Sequence, residues 1–579
     1  MKQLVAGLPE VYQPIFRHPA LSRNAARSCL DRLAHIRQAC AAFSKCLGRP
    51  IRVLDIGCAQ GFFSLHLAEA GAEVVGIDIL ETNVRLCNAL RGKIPKSNVM
   101  FKAIGIEEFL PEIAPGRFDM FLGLSVFHHL CSSRGFDRTK AIVSTLAERI
   151  SVGVFELASA GEPLPWAQSL PANELSVLSA FSFRHTLDRI PTHLSAVKRP
   201  LVVASSEFWL LGDGCGRIED SMTESHQFAR GTHEQSRRYF RGNGLFIKQF
   251  SLEGSRGDIN RLELTHEAEF LRSPPAGFVP APKLHSWNLG PHEGWLVREE
   301  ISGQLLSEIQ ARGVGYDALR IIRDVLVQLA AMEAVGLYHN DIRIWNTLIL
   351  ENGGATLIDY GAISSDPVDC IFREHPVLSF FAYIEEIASG SLTQNPLLRF
   401  PYTLPSRLDL KHGHWVDRIW KYPVKEWSYG LFLEKLLEAE KAKGPERISA
   451  LSSSAKVDYL ERYVAFHAAR LATVSAALDV AASDQTNRGK IIESQEAELA
   501  DRAQQISRLT EWVQQHEAES ADRARQIDRL TKLVQQHEAE SADRARQIDR
   551  LTKLVQQHEA ESADRGRQVE QLTAALKTA

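Results

Sequence analysis

The sequence lacks any apolar run near the ~20 residues that a bilayer-spanning helix needs, which excludes a helical membrane anchor within it. It lacks cysteine pairs: eight cysteines are scattered over 579 residues, with no CxxC and no zinc-like spacing. That excludes a disulfide framework and a structural zinc site, and it fits a reducing, cytoplasmic compartment. It lacks a charge excess, with 67 basic and 71 acidic residues and a net charge of −4. No global field therefore draws it to nucleic acid or to an anionic membrane. The N-terminal MKQLVAGLPEVYQPIF has no secretory h-region. Membrane contact is expected to be peripheral or through a partner. Proline is absent from about residue 485 onward.

What is present divides the chain. Its length calls for roughly three or four domains. Residues 1 to about 48 read mostly as helix. From Ile51 to about Val203, strand-like RVLDIG, EVVGID, DMFLGL and GVFEL alternate with helical stretches. This alternation predicts a doubly wound parallel sheet. Near residue 205 the pattern changes to short antiparallel strands, FWLLG, RRYF and LFIKQF, with a turn at Gly242-Asn243-Gly244. Helices dominate after about residue 315. The tail repeats: ADRARQIDRLTKLVQQHEAES starts at Ala521 and again at Ala542, with degenerate copies from Ala500 and Ala563. The 21-residue period is three heptads. Ile506, Val513, Ile527 and Val534 fall on one seam, and Leu509 and Leu530 on the other. A self-associating left-handed coiled coil follows. The expected class is multidomain: an α/β class I (Rossmann-like) domain over 1–205, an α+β bilobal domain over 206–450, a connecting helix over 451–486 and an α-helical coiled coil over 487–579.

In Val53-Leu54-Asp55-Ile56-Gly57-Cys58-Ala59-Gln60-Gly61 a strand enters a tight turn and then a helix. Gly57 and Gly61 let the backbone approach a ligand. Asp78 ends the next strand, where a carboxylate can bind ribose hydroxyls. The pattern is similar to the first motif of class I S-adenosylmethionine (SAM) methyltransferases, D-x-G-x-G-x-G, with Ala59 at the middle glycine; Asp55 belongs to the same motif. Ile106 and Glu107 follow a third strand and could face an adenine. Leu124 and the pair His128-His129 lie at the carboxyl end of the fourth, where such sheets bind ligands. The two histidines are candidates for positioning a methyl acceptor or its phosphate.

His339-Asn340-Asp341-Ile342-Arg343-Ile344-Trp345-Asn346 matches H-x-D-x-x-x-x-N. Leu357-Ile358-Asp359-Tyr360-Gly361 follows as a D-[FY]-G element. Phosphoryl transfer needs this division of labour. Asp341 would orient the acceptor hydroxyl, Asn346 and Asp359 would hold Mg2+, and His339 and Arg343 complete the catalytic group. Arg343 is read as neutralising a nearby anion. Lys248, in LFIKQF, would pair with ATP phosphates, and Glu267 with Lys248. No G-x-G-x-x-G loop precedes Lys248 and no A-P-E element follows Asp359. A small-molecule or glycan acceptor is therefore favoured over a peptide.

Taken together, LPEVYQPIFRHP, LDIGCAQGFFSL, GLSVFHHL, THLSAVKRP, SRRYF, PPAGF, HNDIRIWN and LIDYGAI resemble the WbdD-like O-antigen chain terminators, over about residues 5–450. The resemblance implies ATP-dependent phosphorylation of the non-reducing end of a lipid-linked polymannose chain. SAM-dependent methylation of that phosphate follows and fixes chain length. It also implies a trimer through the coiled coil, a mannosyltransferase polymerase as partner, and Tyr12 and Arg32 near SAM. The family's basic, aromatic, membrane-binding tail has no counterpart in this sequence, so attachment at the cytoplasmic face of the inner membrane is expected to be peripheral or indirect. Two other readings are a bifunctional enzyme acting on a different sugar or small molecule, and a coiled-coil scaffold with nucleotide-binding pseudoenzyme heads.

Overall fold

The computed structural model describes residues 1–94, 98–222, 233, 235–371, 375–390, 405, 408, 410–442 and a few isolated positions beyond. The 21-residue repeats lie outside the described residues, apart from isolated positions such as 551 and 552. The chain divides into two compact units, Met1–Pro274 with Pro280–Ser302, and Pro275–Val279 with Gly303–Ala579.

The first unit is built on seven strands: β1 (Arg52–Ile56), β2 (Glu73–Asp78), β3 (Val99–Ala103), β4 (Met120–Leu124), β5 (Val152–Glu156), β6 (Phe183–Ile190) and β7 (Arg199–Ser205). Their order is β3-β2-β1-β4-β5-β7-β6. The first five are parallel and β7 runs antiparallel to both neighbours. Every residue of β4, β5 and β7 is buried. Continuous apolar runs of this kind suit a sheet covered on both faces. Along β1 the side chains alternate: Val53 joins one apolar cluster, Leu54 and Ile56 the other.

The helices of this unit are α1 (Lys2–Ala6), α2 (Leu30–Leu47), α3 (Phe62–Glu69), α4 (Glu81–Arg91), α5 (Ile106–Phe109), α6 (Phe127–Arg134), α7 (Phe136–Arg149) and α8 (Gly257–Arg272). The helix expected over residues 1–48 is interrupted. Between α1 and α2 the chain holds only one 3-10 turn, Pro19–Leu21. Prolines 9, 14 and 19 remove backbone donors, and Arg17 and Cys29 adopt φ of 56° and 64°.

Two hairpin strands, β8 (Phe208–Leu211) and β9 (Gly214–Arg217), precede a second sheet. Its strands are β10 (Asp220–Met222), β11 (Arg237–Gly242), β12 (Leu245–Ser251), β13 (Leu284–Leu289) and β14 (Glu293–Glu299), in the order β10-β11-β12-β14-β13. The β11–β12 connection is the turn read from the sequence: Asn243 and Gly244 have φ of 53° and 69°, and Gly242 pairs with Leu245. Two successive positive φ values match a right-twisted hairpin.

The compact units do not part at residue 205. Phe208–Leu211, Phe240, Ile247, Trp295 and Val297 belong to the same apolar cluster as Val53 and Val74. A polar seam joins the two sheets as well. Glu293 Oε2 accepts the Thr186 amide and pairs with His185 Nδ1, both at 3.0 Å. Gln249 Nε2 and Arg238 Nη1 donate to the Arg184 carbonyl. The edge strand β6 is thereby covered.

The second unit contains β15 (Gln304–Leu305), β16 (Tyr338–His339), β17 (Thr347–Ile349), β18 (Ala355–Leu357) and β19 (Ile363–Ser364). Its helices are α9 (Leu306–Ala311), α10 (Ala318–Glu333), α11 (Pro376–Ser389), α12 (Leu410–Ile419) and α13 (Tyr429–Lys441). The Asp317 side chain caps α10 by accepting the Arg320 amide. Ile321, Ile322, Val325, Leu326, Leu329 and Met332 form its buried stripe. Among the described residues no helix is long and apolar enough to cross a membrane.

Candidate active sites

The loop after β1 is shaped by positive φ. Gly57, Ala59 and Gly61 have φ of 69°, 47° and 73°. A Cβ on Gly57 would stand 2.6 Å from Val126 Cγ2, and one on Gly61 2.9 Å from Cys87 Sγ. Glycine is needed at both for space as well as conformation. The amides of Gly57 and Cys58 donate to the Ile77 carbonyl. The Ala59 amide donates to Asp78 Oδ2 at 2.8 Å; the Leu80 amide and Asn83 Nδ2 donate to Asp78 Oδ1 at 2.8 and 3.2 Å. Three of the carboxylate's roughly four acceptor positions are thus used, and one is open to a ligand hydroxyl. Asp55 is 2% exposed and accepts Ser64 Oγ at 2.6 Å. Burial pushes its carboxyl up to about 6, against the Ser64 hydrogen bond. It braces the loop against α3 from beneath. Gln13 latches the N-terminal segment over the same loop, its amide donating to Gln60 Oε1 and its Oε1 accepting the Phe62 amide.

At the ends of β4 and β5 lies a second, charged cluster. Glu156 Oε1 accepts Arg27 Nη1 and its Oε2 accepts Arg32 Nη1, each at 2.6 Å. Arg27 Nη1 also lies 3.3 Å from the Tyr12 hydroxyl. Arg199 forks onto Glu162 at 2.7 and 2.6 Å. The Trp166 ring packs against His128 and His129, with centroids 4.8 and 5.5 Å away. Burial, aided by His129 and Arg199, drives His128 down to about 2, so its ring is neutral at working pH.

In the second sheet, Lys248 Nζ lies 2.5 Å from Glu267 Oε2 on α8, and Arg298 Nε 3.3 Å from Glu267 Oε1. Lys248 and Glu267 are 3% and 1% exposed. Such a pair is tolerated only because each charge has a partner.

In the second unit, the loop from β16 to β17 is held from several sides. His339 Nε2 donates to the Ile358 carbonyl at 3.0 Å, which fixes the tautomer, and its Nδ1 accepts the Asp341 amide at 3.3 Å. Asn346 Nδ2 donates to the Asp341 carbonyl at 2.9 Å and to Asp341 Oδ2 at 2.7 Å. With its NH2 so engaged, Asn346 has only its amide oxygen to offer, a hard donor suited to Mg2+. Asp359 adopts φ 66° and ψ 61°, a strained backbone that functional sites retain. Arg343 Nη2 donates to Asp369 Oδ1 at 2.6 Å, and Ser379 Oγ to Asp369 Oδ2 at 2.7 Å. Burial lifts the Asp341 carboxyl to about 6; Arg343 pulls against this while Asp369 and Asp359 add to it. A fifth of the Asp341 side chain, 21%, stays open to solvent.

Residues 48–145 match the family model described as a methyltransferase domain. Two curated proteins of Escherichia coli described as O-antigen chain terminator bifunctional methyltransferase/kinase WbdD are 37% and 36% identical over 458 residues, 77% of this chain. This chain spans 64% of the length of each. A low-resolution WbdD structure with an ordered C-terminal bundle superposes with a TM-score of 0.71 at 34% identity, covering 86% of this chain and 100% of that one. The chain belongs to the WbdD family. A 2.2 Å crystal structure of WbdD gives a TM-score of 0.65 at 34% identity, over 80% of this chain and 99% of that one.

Against the WbdD-family reading of the sequence, the geometry redistributes several roles. Gly57, Gly61, Asp78 and Leu124 line the carboxyl ends of β1, β2 and β4, and Tyr12 is tied in by Arg27. Asp55, Ile106 and Arg32 are buried, at 2%, 6% and 1% exposure. The Glu107 side chain does not stand free for an adenine, because it pairs with Arg138 and Arg134 at 3.2 and 3.0 Å. Arg343 is not poised toward a substrate anion: it is 4% exposed and committed to Asp369. His339, wholly buried, sets the loop's shape. Sequence reasoning missed Arg27, Ser125, Glu156, Glu162, Arg199 and Asp369. The only signals were an acid ending the strand GVFEL and the arginine in THLSAVKRP.

Proposed function

We propose that this chain is a bifunctional transferase that caps a lipid-linked O-antigen polysaccharide. It phosphorylates the terminal non-reducing sugar, mannose in the family pattern, with ATP, and then methylates that phosphate with SAM. The reaction order is the reverse of the sequence order. The observation that carries the reading is Asn346, whose amide group ties Asp341 and leaves one oxygen for a metal, in a chain that also holds the strained Gly57–Gly61 loop. A carboxyl lifted to about 6 suits a group that takes a hydroxyl proton near neutrality. In this reading Asn346 and Asp359 hold Mg2+, Lys248 and Glu267 serve the ATP phosphates, and the SAM cradle is Gly57, Gly61, Asp78, Leu124 and Tyr12. Residues 1–205 carry methylation and 206–450 carry phosphorylation. Residues 487–579 form a trimeric coiled coil that sets the distance to a mannosyltransferase polymerase, at the cytoplasmic face of the inner membrane.

The test is incubation with synthetic mannose oligomers, ATP and SAM, read by mass. Expected is a gain of one phosphoryl group with ATP alone, and a further methyl only when both are supplied. A methyl gained without ATP, or no phosphoryl gain on any mannose oligomer, defeats the reading. Asp341→Ala is expected to abolish phosphorylation and to leave methylation of a pre-phosphorylated oligomer intact.

A further inference from the structure

Five charged side chains are buried together beyond β4, β5 and β7: Arg27, Arg32 and Arg199 with Glu156 and Glu162, all 6% exposed or less. Three guanidiniums face two carboxylates, so one positive charge is left uncompensated within the cluster. Asp31, 4.0 Å from Arg32 Nε, is a solvated carboxylate, 41% exposed, at the Arg32 end. The shortfall of negative charge lies on the Glu156 side, where Arg27 and Arg32 share one buried carboxylate, while Arg199 has Glu162 to itself. Arginine keeps its proton in a protein, and a buried charge short of a counter-charge is costly.

Arg27 and Arg199 converge. The Nη1 of each reaches 3.3 Å from the Ser125 hydroxyl oxygen. Two cations at one neutral oxygen, at long range, make a weak arrangement that an anion would replace with stronger bonds. Ser125 is held at φ 58°, strained for a residue with a side chain. It leads into α6, whose first residue is Phe127, so a helix N-terminus opens beside it. His128, 4% exposed, has an Nδ1 without a partner. In the sheet order the Asp78 cradle belongs to β1 and β2, while Ser125, Glu156 and Arg199 belong to β4, β5 and β7. The two groups flank the switch point between β1 and β4.

We propose that Arg27 and Arg199, converging on Ser125, form the receptor for the phosphate monoester that accepts the methyl group, with His128 as a hydrogen-bonding wall. This rests on the methylation half of the function proposed above. A phosphate oxygen forms the bond to the methyl carbon while the carbon–sulfur bond breaks, and the electron pair stays on sulfur. A dianionic monoester and a sulfonium become a monoanionic diester and a neutral thioether. No proton moves, so a neutral histidine suffices. The product carries one negative charge fewer, which loosens its hold on the two arginines.

The test uses the full chain and a mannose oligomer first phosphorylated by the wild type, then freed of ATP. Arg199→Gln is expected to raise the KM for this oligomer about tenfold or more, with the KM for SAM changed less than about twofold. Arg199→Lys recovers part of the loss. Because Arg199→Gln strands Glu162, the double variant Arg199→Gln/Glu162→Gln is measured beside it, with folding checked by circular dichroism. An unchanged oligomer KM in the folded double variant overturns the receptor. A parallel rise in the SAM KM assigns these arginines to the SAM carboxylate instead and overturns it too. If the wild type phosphorylates no mannose oligomer, the function proposed above fails separately. Inorganic phosphate is then titrated by calorimetry into the chain loaded with S-adenosylhomocysteine and carrying Asp359→Ala. Binding that Arg199→Gln abolishes supports the receptor, and absent or unaltered binding overturns it.

Discussion

Asp369 offers the sharpest test of the phosphotransfer role proposed for the loop from β16 to β17. Its carboxylate is fully buried and takes Arg343 Nη2 at 2.6 Å, Ser379 Oγ at 2.7 Å and the Ile371 amide at 2.8 Å. Asp369→Asn keeps the shape and removes the charge. Arg343 remains a buried cation, and breaking such a pair from one side costs about 3–5 kcal/mol. A second carboxylate, Asp341, stands 3.6 Å from Arg343 Nε. Arg343 is expected to turn onto it. Two of the influences on Asp341 then change together: the push from Asp369 disappears and the pull of Arg343 is no longer shared. The Asp341 carboxyl falls below its lifted value of about 6. The phosphorylation rate is measured from about pH 5 to 8, beside urea unfolding. Expected are a rate loss of about a hundredfold from misplacement and an acid limb moved to lower pH. Adding Arg343→Met to Asp369→Asn removes the stranded cation and recovers stability but not rate. An acid limb that stays in place or moves upward refutes the reasoning, as does a wild-type rate.

Ala59→Gly removes a side chain at φ 47° and is expected to stabilise the chain by about 1 kcal/mol, read as a higher melting temperature with SAM affinity retained. Lys248→Met is expected to lower phosphorylation about a hundredfold or more and to leave methylation of a pre-phosphorylated oligomer unchanged in the same assay. Asp55 has a carboxyl raised to about 6 in the fold, so its contribution is fully present below about pH 4 and is lost as pH rises through 6. Stability should drop by up to about 3 kcal/mol across that window, and denaturation of Asp55→Asn should show a flatter profile. Under the proposed coiled coil, which lies outside the described residues, deleting one 21-residue repeat should remove about 30 Å of helix and shift glycan length on a sizing gel without altering the rate of either transfer.

Local chemistry was readable where it repeats along the chain. RVLDIG, EVVGID, DMFLGL and GVFEL became β1, β2, β4 and β5 because apolar runs between turns have few alternatives. The Gly242-Asn243-Gly244 turn was readable for the same reason. The N-terminal segment was misread, since its helical composition is overruled by three prolines and two left-handed residues. Arg27 and Glu156 are 129 residues apart in sequence, and no local pattern announces that they share a hydrogen bond. Arg343 carried a misleading signal: an arginine in a catalytic loop reads as a substrate contact until Asp369, 26 residues on, is seen to hold it. The domain boundary at 205 follows a real change in strand pattern, but compactness depends on which apolar faces meet, and those faces are joined across it.

That shared core ties together the fate of the two sheets and of the two transfers proposed for them. A proteolytic cut near residue 205 would strip Trp209, Phe240, Ile247 and Trp295 from the cluster that supports Val53 and Val74. The first sheet would be left with a wet apolar face, prone to aggregate rather than to work alone. Damage to the nucleotide-side strands would be felt in the methylation loop as lost solubility, whatever it did to ATP. Under the function proposed above, a cell carrying such a lesion is expected to lose both transfers together rather than to accumulate phosphorylated, unmethylated chain ends.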